Sequence, residues 1–354
     1  MKRNVSLLLS ILLVLLSISA ASALTVIDPT ADRGITPKGD PAANNPRIPG
    51  ESMTTGLPFE GDYVPILVNI DNVAGAWPHW GVADADIIYE LPIHGLTLTR
   101  LMALFADKHP AEAGPVRSGR VLHAELREEW DAGWTFVGIQ KLDGTNVNDA
   151  LREFGARHKT HDLIYDLGAT KWSKHSYRVK DYSAPHNLSV KVPELVEVAK
   201  GYAFPERPFL FADALPTAGE PASQIQLVYG GSDKNYTNSS FTYDAAANAY
   251  ARYRAGTPYA DKSNPDVPLT FSNVIVQWTD LSFNGMASAP VLTEVGQGNA
   301  DIFIGGRHIA GYWVRSDVTN RTVFYDQDGN EIALQRGKTW INVTTERATE
   351  VSYQ

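Results

Sequence analysis

Residues 114–120 read Gly-Pro-Val-Arg-Ser-Gly-Arg, and the residues that follow repeat with a helical period. Leu122, Leu126 and Trp130 recur at intervals of four, so they lie on one face of a helix. The Gly-Pro pair interrupts any preceding regular element, and Ser118 is placed to act as the N-cap. We therefore predict a helix from about Ser118 to Trp130 that buries its apolar face.

Two arginines, Arg117 and Arg120, flank this predicted cap. The free N–H groups and the dipole at a helix N-terminus favour an anion, and guanidinium groups bind carboxylates and phosphates. The segment is therefore a candidate anion site. The alternative is that both arginines pair with acidic residues of the same fold, such as Glu125 or Glu128, and the sequence leaves the two readings equal.

Composition restricts the class of protein. The chain has 354 residues, 44% hydrophobic and 20% charged, which is typical of a globular protein and long enough for two domains. Its net charge of −9 argues against a nucleic-acid partner. It has no cysteine, which excludes disulfides, thiolate zinc sites and iron–sulfur clusters.

The N-terminus has the pattern of an export signal. Lys2 and Arg3 precede an apolar run that ends at Ala21-Ser22-Ala23, so residues 1–23 are predicted to be a secretory signal peptide. The mature protein is then extracytoplasmic, secreted or at the cell surface, and it contacts a membrane only if the leader is retained as an anchor. Residues 24–60 are rich in Pro, Gly and Asn, and we predict a flexible spacer there.

Two domains are expected after the spacer. Over residues 61–212 buried strands at 66–70, 87–90, 98–105 and 135–140 alternate with helices, including one capped by Asn146 and one near 190–200. This pattern predicts an α/β (or α+β) domain. Over residues 222–346 short apolar runs separated by Gly, Asn and Asp predict a β-rich domain.

Four polar residues accompany the predicted strands. Asp71 and Asn72 follow the first strand, where α/β domains often place ligand contacts, although both residue types also favour turns. Glu90 and Arg100 adjoin or interrupt apolar runs, and an ion pair between them would satisfy both charges if they are buried. Together with Arg117, Ser118 and Arg120, these four residues form the predicted ligand site.

The sequence offers no metal site or cofactor motif that we accept. His158 and His161 have a spacing that suits one metal ion, but no third ligand is identifiable, so residues 158–162 are interpreted as a polar loop. Fingerprints for nucleotides, hydrolase serines and zinc proteases are lacking in the sequence, and no base is tied to Ser118. We expect no cofactor, and catalytic residues remain unknown.

Several segments resemble the YerB-like family of extracytoplasmic proteins, a domain of unknown function (number 3048). In the first domain the resemblance rests on Val68-Asn69-Ile70-Asp71-Asn72, residues 83–90, Thr99-Arg100 and residues 114–120. In the second it rests on residues 273–277, Gly296-Gln297-Gly298, residues 324–329 and residues 337–341. The resemblance implies a two-domain body outside the cytoplasmic membrane, and no established reaction accompanies it.

The chain departs from the family pattern at two points. Many relatives carry a lipid-anchoring cysteine at the end of the leader, and this chain has none. Relatives usually have an acidic residue before paired glycines between the positions of Glu90 and Arg100, whereas this chain reads Ile93-His94-Gly95-Leu96. Any role of that second carboxylate does not carry over.

Three functional hypotheses follow. The first is an envelope binding protein whose site holds an anionic or polar ligand, either a cell-wall fragment or a group of an envelope protein. The second is a hydrolase of envelope polymers with Asp71 and Glu90 as acid and base. The third is a structural partner that docks on another envelope protein through the β-rich domain. The sequence favours binding over catalysis but does not decide whether the protein is an enzyme.

Overall fold

The computed structural model describes residues 24–156, 161–283 and 289–354. The predicted signal peptide (residues 1–23) and His158 of the predicted polar loop therefore lie outside the described residues. Within the described residues, no helix is long and apolar enough to cross a membrane.

Short strands separated by turns dominate both halves of the chain. The strands of the first half are β1 (Thr25–Val26), β2 (Ile66–Asp71), β3 (Ile87–His94), β4 (Leu98–Phe105), β5 (Gly133–Phe136), β6 (Ile164–Asp166), β7 (Ser176–Arg178), β8 (Leu188–Val190) and β9 (Phe211–Ala212). The helices are α1 (Val121–Trp130), α2 (Val147–Glu153), α3 (Thr170–Ser173) and α4 (Val192–Ala199), with 3₁₀ turns at Ala74–Ala76 and Val82–Asp84.

In the second half, the regular elements among the described residues are all strands. They are β10 (Glu220–Pro221), β11 (Gln224–Tyr229), β12 (Ser239–Asp244), β13 (Ala249–Arg254), β14 (Thr257–Pro258), β15 (Thr270–Phe271), β16 (Asn273–Trp278), β17 (Leu281–Ser282), β18 (Val291–Leu292), β19 (Gly296–Ile304), β20 (Arg307–Arg315), β21 (Val323–Tyr325), β22 (Leu334–Gln335), β23 (Thr339–Thr344) and β24 (Thr349–Tyr353). The predicted order, an α/β or α+β part followed by a β-rich part, is confirmed.

One large sheet contains strands from both halves of the chain. Its order is β10-β20-β19-β16-β23-β3-β4-β2-β5-β6, with β21 beside β20. The two halves meet where β23 pairs in parallel with β3, from Thr339 opposite Ile87 to Asn342 opposite Glu90. The halves are therefore joined through backbone hydrogen bonds, and side chains at this seam come from both.

Each face of the large sheet is covered. Ile66, Val68 and Ile70 of β2 pack with residues of a second sheet, β1-β24-β11-β12-β13-β14, which carries β15 on β13. Leu67 points to the opposite face, since side chains alternate along a strand. That face is covered by α1 and α2, whose buried residues include the predicted apolar stripe Leu122, Leu126 and Trp130.

The second predicted helix forms as expected. The Asn146 side chain accepts a hydrogen bond from the backbone N–H of Asn148, and Val147, Ala150 and Leu151 are buried. The strand predicted at 135–140 is displaced, since β5 spans Gly133–Phe136.

The segment predicted as a flexible spacer is instead packed against the body. Thr25–Val26 pairs with β24, and the Arg33 guanidinium lies 2.9 Å from the buried carboxylate of Asp301. Residues 52–55 are buried as well. Composition misled here because Pro- and Gly-rich chain without a hydrophobic period can still be fixed by side-chain hydrogen bonds.

Two aspartates hold the buried end of this segment. The Thr54 hydroxyl donates to Asp86 at 3.0 Å, and the hydroxyls of Ser52 and Thr55 donate to Asp107 at 2.6 Å each. Burial, and then the neighbouring charge of Asp107, raise the pKa of Asp86 to about 7. Asp86 therefore binds a proton more tightly in the folded protein than in the unfolded chain.

This pKa shift predicts a pH dependence of stability. Because the folded pKa lies above the ordinary value of 3.8, the contribution of Asp86 to stability is largest below pH 4 and is lost as the pH rises through 7. Asp86→Asn should remove most of this decline, measured as the free energy of unfolding in urea at several pH values between 4 and 8. Asp149→Asn, at an exposed position, should keep it. An unchanged slope in Asp86→Asn would contradict the assignment.

Candidate functional site

The segment that precedes α1 is extended and lies along β2. The backbone N–H of Asp71 donates to the Pro115 carbonyl at 2.8 Å, and that of Arg117 donates to the Asn69 carbonyl at 3.0 Å. The predicted start of the helix is therefore wrong, because α1 begins at Val121 with Arg120 as its N-cap residue. Backbone pairing with β2 takes precedence over helix initiation and places the Arg117 side chain beside Asp71.

Close packing explains the two glycines of this segment. A Cβ atom on Gly114 would lie 2.5 Å from the ring of Trp80, and one on Gly119 would lie 2.9 Å from the ring of Trp134. Ser118 contributes its backbone carbonyl rather than a capping hydroxyl. That carbonyl accepts hydrogen bonds from the Asn69 amide at 3.2 Å and from Arg100 Nη1 at 2.9 Å.

Asp71 is the only carboxylate within ion-pair distance of the site's basic groups among the described residues. Its Oδ2 lies 2.9 Å from Arg117 Nε and 2.6 Å from His186 Nδ1, and its Oδ1 lies 3.8 Å from Arg100 Nη2. Arg117 therefore pairs with Asp71 and not with Glu125 or Glu128. We call Asp71, Arg100, Arg117 and Arg120 the arginine cluster.

Positive charge exceeds negative charge in the arginine cluster. Arg120 forms no ion pair within the part of the chain that the structure describes, and burial, followed by the charge of Arg117, lowers its pKa. Burial lowers the pKa of Arg100 to about 9, opposed by Asp71 and assisted by Arg120 and Arg117. Three guanidinium groups thus lie near one another, and among the described carboxylates only Asp71 forms ion pairs with them, through Arg100 and Arg117. Such an excess of positive charge attracts an anion.

The neighbouring histidine adds no charge. His123 is fully buried in the first turn of α1, and its Nδ1 accepts the backbone N–H of Arg120 at 3.1 Å. Burial and the charges of Arg100 and Arg120 hold the pKa of His123 well below its ordinary value. It is therefore neutral and positions the Arg120 backbone.

A second group of polar residues lies at the seam of the large sheet. Glu90 Oε1 accepts hydrogen bonds from the Thr99 hydroxyl at 2.7 Å and from the Asn72 amide at 3.2 Å. Its Oε2 lies 3.2 Å from Arg252 Nη2, and both side chains are fully buried. We call Asn72, Glu90, Thr99 and Arg252 the Glu90 cluster.

The structure divides the predicted site residues between these two clusters. Asp71, Arg100, Arg117 and Arg120 form the first, Ser118 contacts it through its carbonyl, and Asn72 and Glu90 belong to the second. Glu90 and Arg100, considered above as a possible ion pair, do not pair with each other, because Arg252 is the partner of Glu90 and Asp71 that of Arg100. The backbone neighbours Asp71 and Asn72 connect the two clusters.

The sequence analysis missed two residues that contact the predicted site, Arg252 and His186. Arg252 and Arg254 stand two apart on β13, so they share a face with the buried Tyr250, and this alternation was the available signal of inward-facing charge. His186 lies in a loop before β8 and carries no comparable signal. Both reach the site only through tertiary contacts.

Solvent reaches the side chains of Arg117 and His186 but not the two carboxylates. The side chains of Arg117 and His186 are 27% and 26% exposed, whereas that of Asp71 is 1% exposed and that of Glu90 is fully buried. A solute at this surface therefore meets Arg117 and His186 before either carboxylate. No group of three metal-ligating acidic or histidine side chains occurs among residues 24–156, 161–283 and 289–354.

Comparison with known families identifies the chain. Residues 54–204 match the N-terminal domain of the proteins of unknown function called DUF3048, and residues 225–341 match the C-terminal domain of the same proteins. The chain belongs to the DUF3048 family. The predicted membership of the YerB-like family is thus confirmed, and the Glu90–Arg252 ion pair joins the two DUF3048 domains.

Relatives of this DUF3048 protein share its length and fold. The putative lipoprotein YerB of Bacillus subtilis is 26% identical over 294 residues, covering 79% of this chain and 80% of YerB. The crystal structure of YerB from Bacillus subtilis superposes with a TM-score of 0.70 at 24% identity, covering 85% of this chain and 99% of that one. The two proteins therefore have the same fold.

The Glu90–Arg252 contact predicts a large effect on stability. Glu90→Ala leaves the Arg252 cation buried without its carboxylate, which should lower the free energy of unfolding by about 3–5 kcal/mol. Glu197→Ala, on the exposed side of α4, should change it by less than about 0.5 kcal/mol. Denaturant unfolding of the purified variants measures both.

A double variant measures the interaction between Glu90 and Arg252 itself. Glu90→Met/Arg252→Met removes both charges together and leaves neither charge buried alone. Its loss in the free energy of unfolding should therefore be smaller than the sum of the losses in Glu90→Met and in Arg252→Met. Losses that simply add would show that the two side chains do not interact.

Proposed function

We propose that this protein is an extracytoplasmic binding module whose arginine cluster holds an anionic ligand. The observation that carries the proposal is the excess of guanidinium groups, since Arg100 and Arg117 share the carboxylate of Asp71 while Arg120, which lies near both, forms no ion pair with any described residue. On a chain with a net charge of −9, such a local excess of positive charge is informative.

Two observations support a location at the cell envelope. Residues 1–23 have the pattern of an export signal, and the relative YerB is named a putative lipoprotein. Because this chain has no cysteine, it cannot carry the thioether-linked lipid of a lipoprotein. We therefore propose a secreted or surface-exposed protein, held at the membrane only if its leader is retained.

The chemistry of the cluster limits the ligand class. Guanidinium groups recognise carboxylate and phosphate oxygens, which occur on cell-wall fragments and on the acidic surfaces of envelope proteins. Arg117 and the half-buried Arg120 are the donors that a ligand can reach. Arg100 is buried, and it contributes its positive charge from inside the protein. We propose a cell-wall fragment with an anionic group as the ligand, and an envelope protein as the alternative.

The geometry gives less support to a hydrolase. Asp71 and Glu90 are both buried, and each is held by cationic or hydrogen-bonding partners rather than facing a common gap. A general acid and base must reach the bond that is cleaved, and these two carboxylates have no such access. The third hypothesis, docking on an envelope protein through the β-rich half, is not supported by a particular feature of the described residues.

The binding proposal is tested by titration calorimetry. Inorganic phosphate and soluble peptidoglycan fragments are added to the wild type and to Arg117→Ala/Arg120→Ala. The double variant should bind at least about tenfold more weakly, because two charge-assisted hydrogen-bond donors are lost.

An exposed arginine provides the matched control. Arg152 lies on α2 with a side chain that is 71% exposed, so Arg152→Ala should retain wild-type affinity. Equal affinities of the wild type and the double variant for every probe would exclude the arginine cluster as the binding site. An equal loss of affinity in Arg152→Ala would show that the effect comes from the change in net charge and not from the arginine cluster.

A further inference from the structure

A separate pocket lies beside the turn that follows β13. Its volume is about 300 Å³, at the small end of the range for ligand pockets. Its lining is mostly apolar and includes Trp77, Pro78, Arg254, Pro258, Tyr259 and Pro265. We call it the Trp77 pocket.

Arg254 is the one arginine or lysine in this lining, and burial, followed by the charge of Arg252, lowers its pKa well below the ordinary value. It is 4% exposed, and its guanidinium carbon lies 3.4 Å from the ring centroid of Trp77 and 4.8 Å from that of Tyr259. Stacking on the ring uses only the flat face of the guanidinium group, while the N–H donors lie in its plane. Nε and Nη1 of Arg254 are buried without a hydrogen-bond partner.

Among the described residues, Glu90 is the carboxylate that most influences the charge of Arg254. The nearby carboxylate of Glu90 is already bound by Arg252, Thr99 and Asn72. Arg254 forms no ion pair with any residue that the structure describes.

The other polar groups of the pocket are neutral. His79 Nδ1 lies 3.1 Å from the Tyr259 hydroxyl, and burial together with the charges of Arg254 and Arg252 holds the pKa of His79 well below its ordinary value. Trp77 Nε1 is a further buried donor without a partner. Buried charges in proteins are generally paired, so these unpartnered donors favour an anion in the pocket.

We propose that the Trp77 pocket binds a small organic carboxylate with an apolar body, its carboxylate on Arg254 and its apolar part between Trp77, Pro258 and Tyr259. A carboxylate matches the planar donors of a guanidinium group, and a single ring or a short branched chain suits a pocket of this volume. The apolar lining disfavours a fully hydrated inorganic anion. This site shares no residue with the arginine cluster and does not depend on the proposed function.

Benzoate is a direct probe of the Trp77 pocket. Binding is followed by ¹H–¹⁵N correlation spectra of the tryptophan indoles, with the Trp77 signal assigned by Trp77→Phe. Benzoate should shift the Trp77 signal saturably, whereas benzyl alcohol lacks the carboxylate and acetate lacks the apolar body, so each should bind at least tenfold more weakly. Equal affinity for benzoate and benzyl alcohol would overturn the role of Arg254, and failure of benzoate to bind would overturn the proposal.

Amino-acid substitutions provide a second test of the Trp77 pocket. Arg254→Met keeps an unbranched side chain but removes the charge, so its affinity for benzoate should fall at least tenfold. Thr257→Trp fills the rim of the pocket from an exposed position and should abolish binding even if Arg254→Met fails to fold. Arg117→Ala, in the arginine cluster, should leave benzoate binding unchanged. Wild-type affinity in Arg254→Met or in Thr257→Trp would contradict the assignment.

Discussion

The parallel pairing of β3 with β23 is the contact on which the rest of the molecule depends. It joins strands from the two halves of the chain into one sheet, and it places Glu90 opposite Asn342 at the end of the shared register. Without this pairing, neither half could bury its apolar edge strand, and Arg252 could not reach Glu90. The seam between the halves is therefore also the place where the buried charges meet.

Charge at the seam is balanced in one cluster and unbalanced elsewhere. Glu90 and Arg252 form an ion pair inside the core, where Thr99 donates to Glu90 and Arg252 donates to Ser239. Nε and Nη1 of Arg252 have no hydrogen-bond partner among the described residues. Asp71, by contrast, must serve three basic side chains, and Arg254 has no carboxylate of its own. The fold thus leaves two separate surplus cations, one at a half-exposed surface and one in an apolar pocket.

Local periodicity was sufficient to predict the main elements. The apolar runs at 66–70 and 98–105 became β2 and β4 because both faces of these strands are covered. The stripe of Leu122, Leu126 and Trp130 became the buried side of α1. The arginines of the predicted site also lie together, since segment 114–120 runs beside the end of β2.

Features that depend on distant contacts could not be predicted. Residues 90 and 252 are 162 positions apart, so no local pattern relates their side chains. The start of α1 was misplaced because backbone hydrogen bonds to β2, and not helix propensity, decide the conformation of residues 114–119. Residues 52–55 are fixed by Asp86 and Asp107, which composition does not reveal.

The central claim is that the arginine cluster holds an anion, and anomalous diffraction tests it most directly. Selenate is a tetrahedral anion whose selenium atom can be located in crystals of the wild type and of Arg117→Ala/Arg120→Ala. We expect a selenium peak with oxygens within hydrogen-bond distance of Arg117 and Arg120, and its loss in the double variant. A selenium peak at other arginines only, or one that persists at this position in the double variant, would contradict the claim.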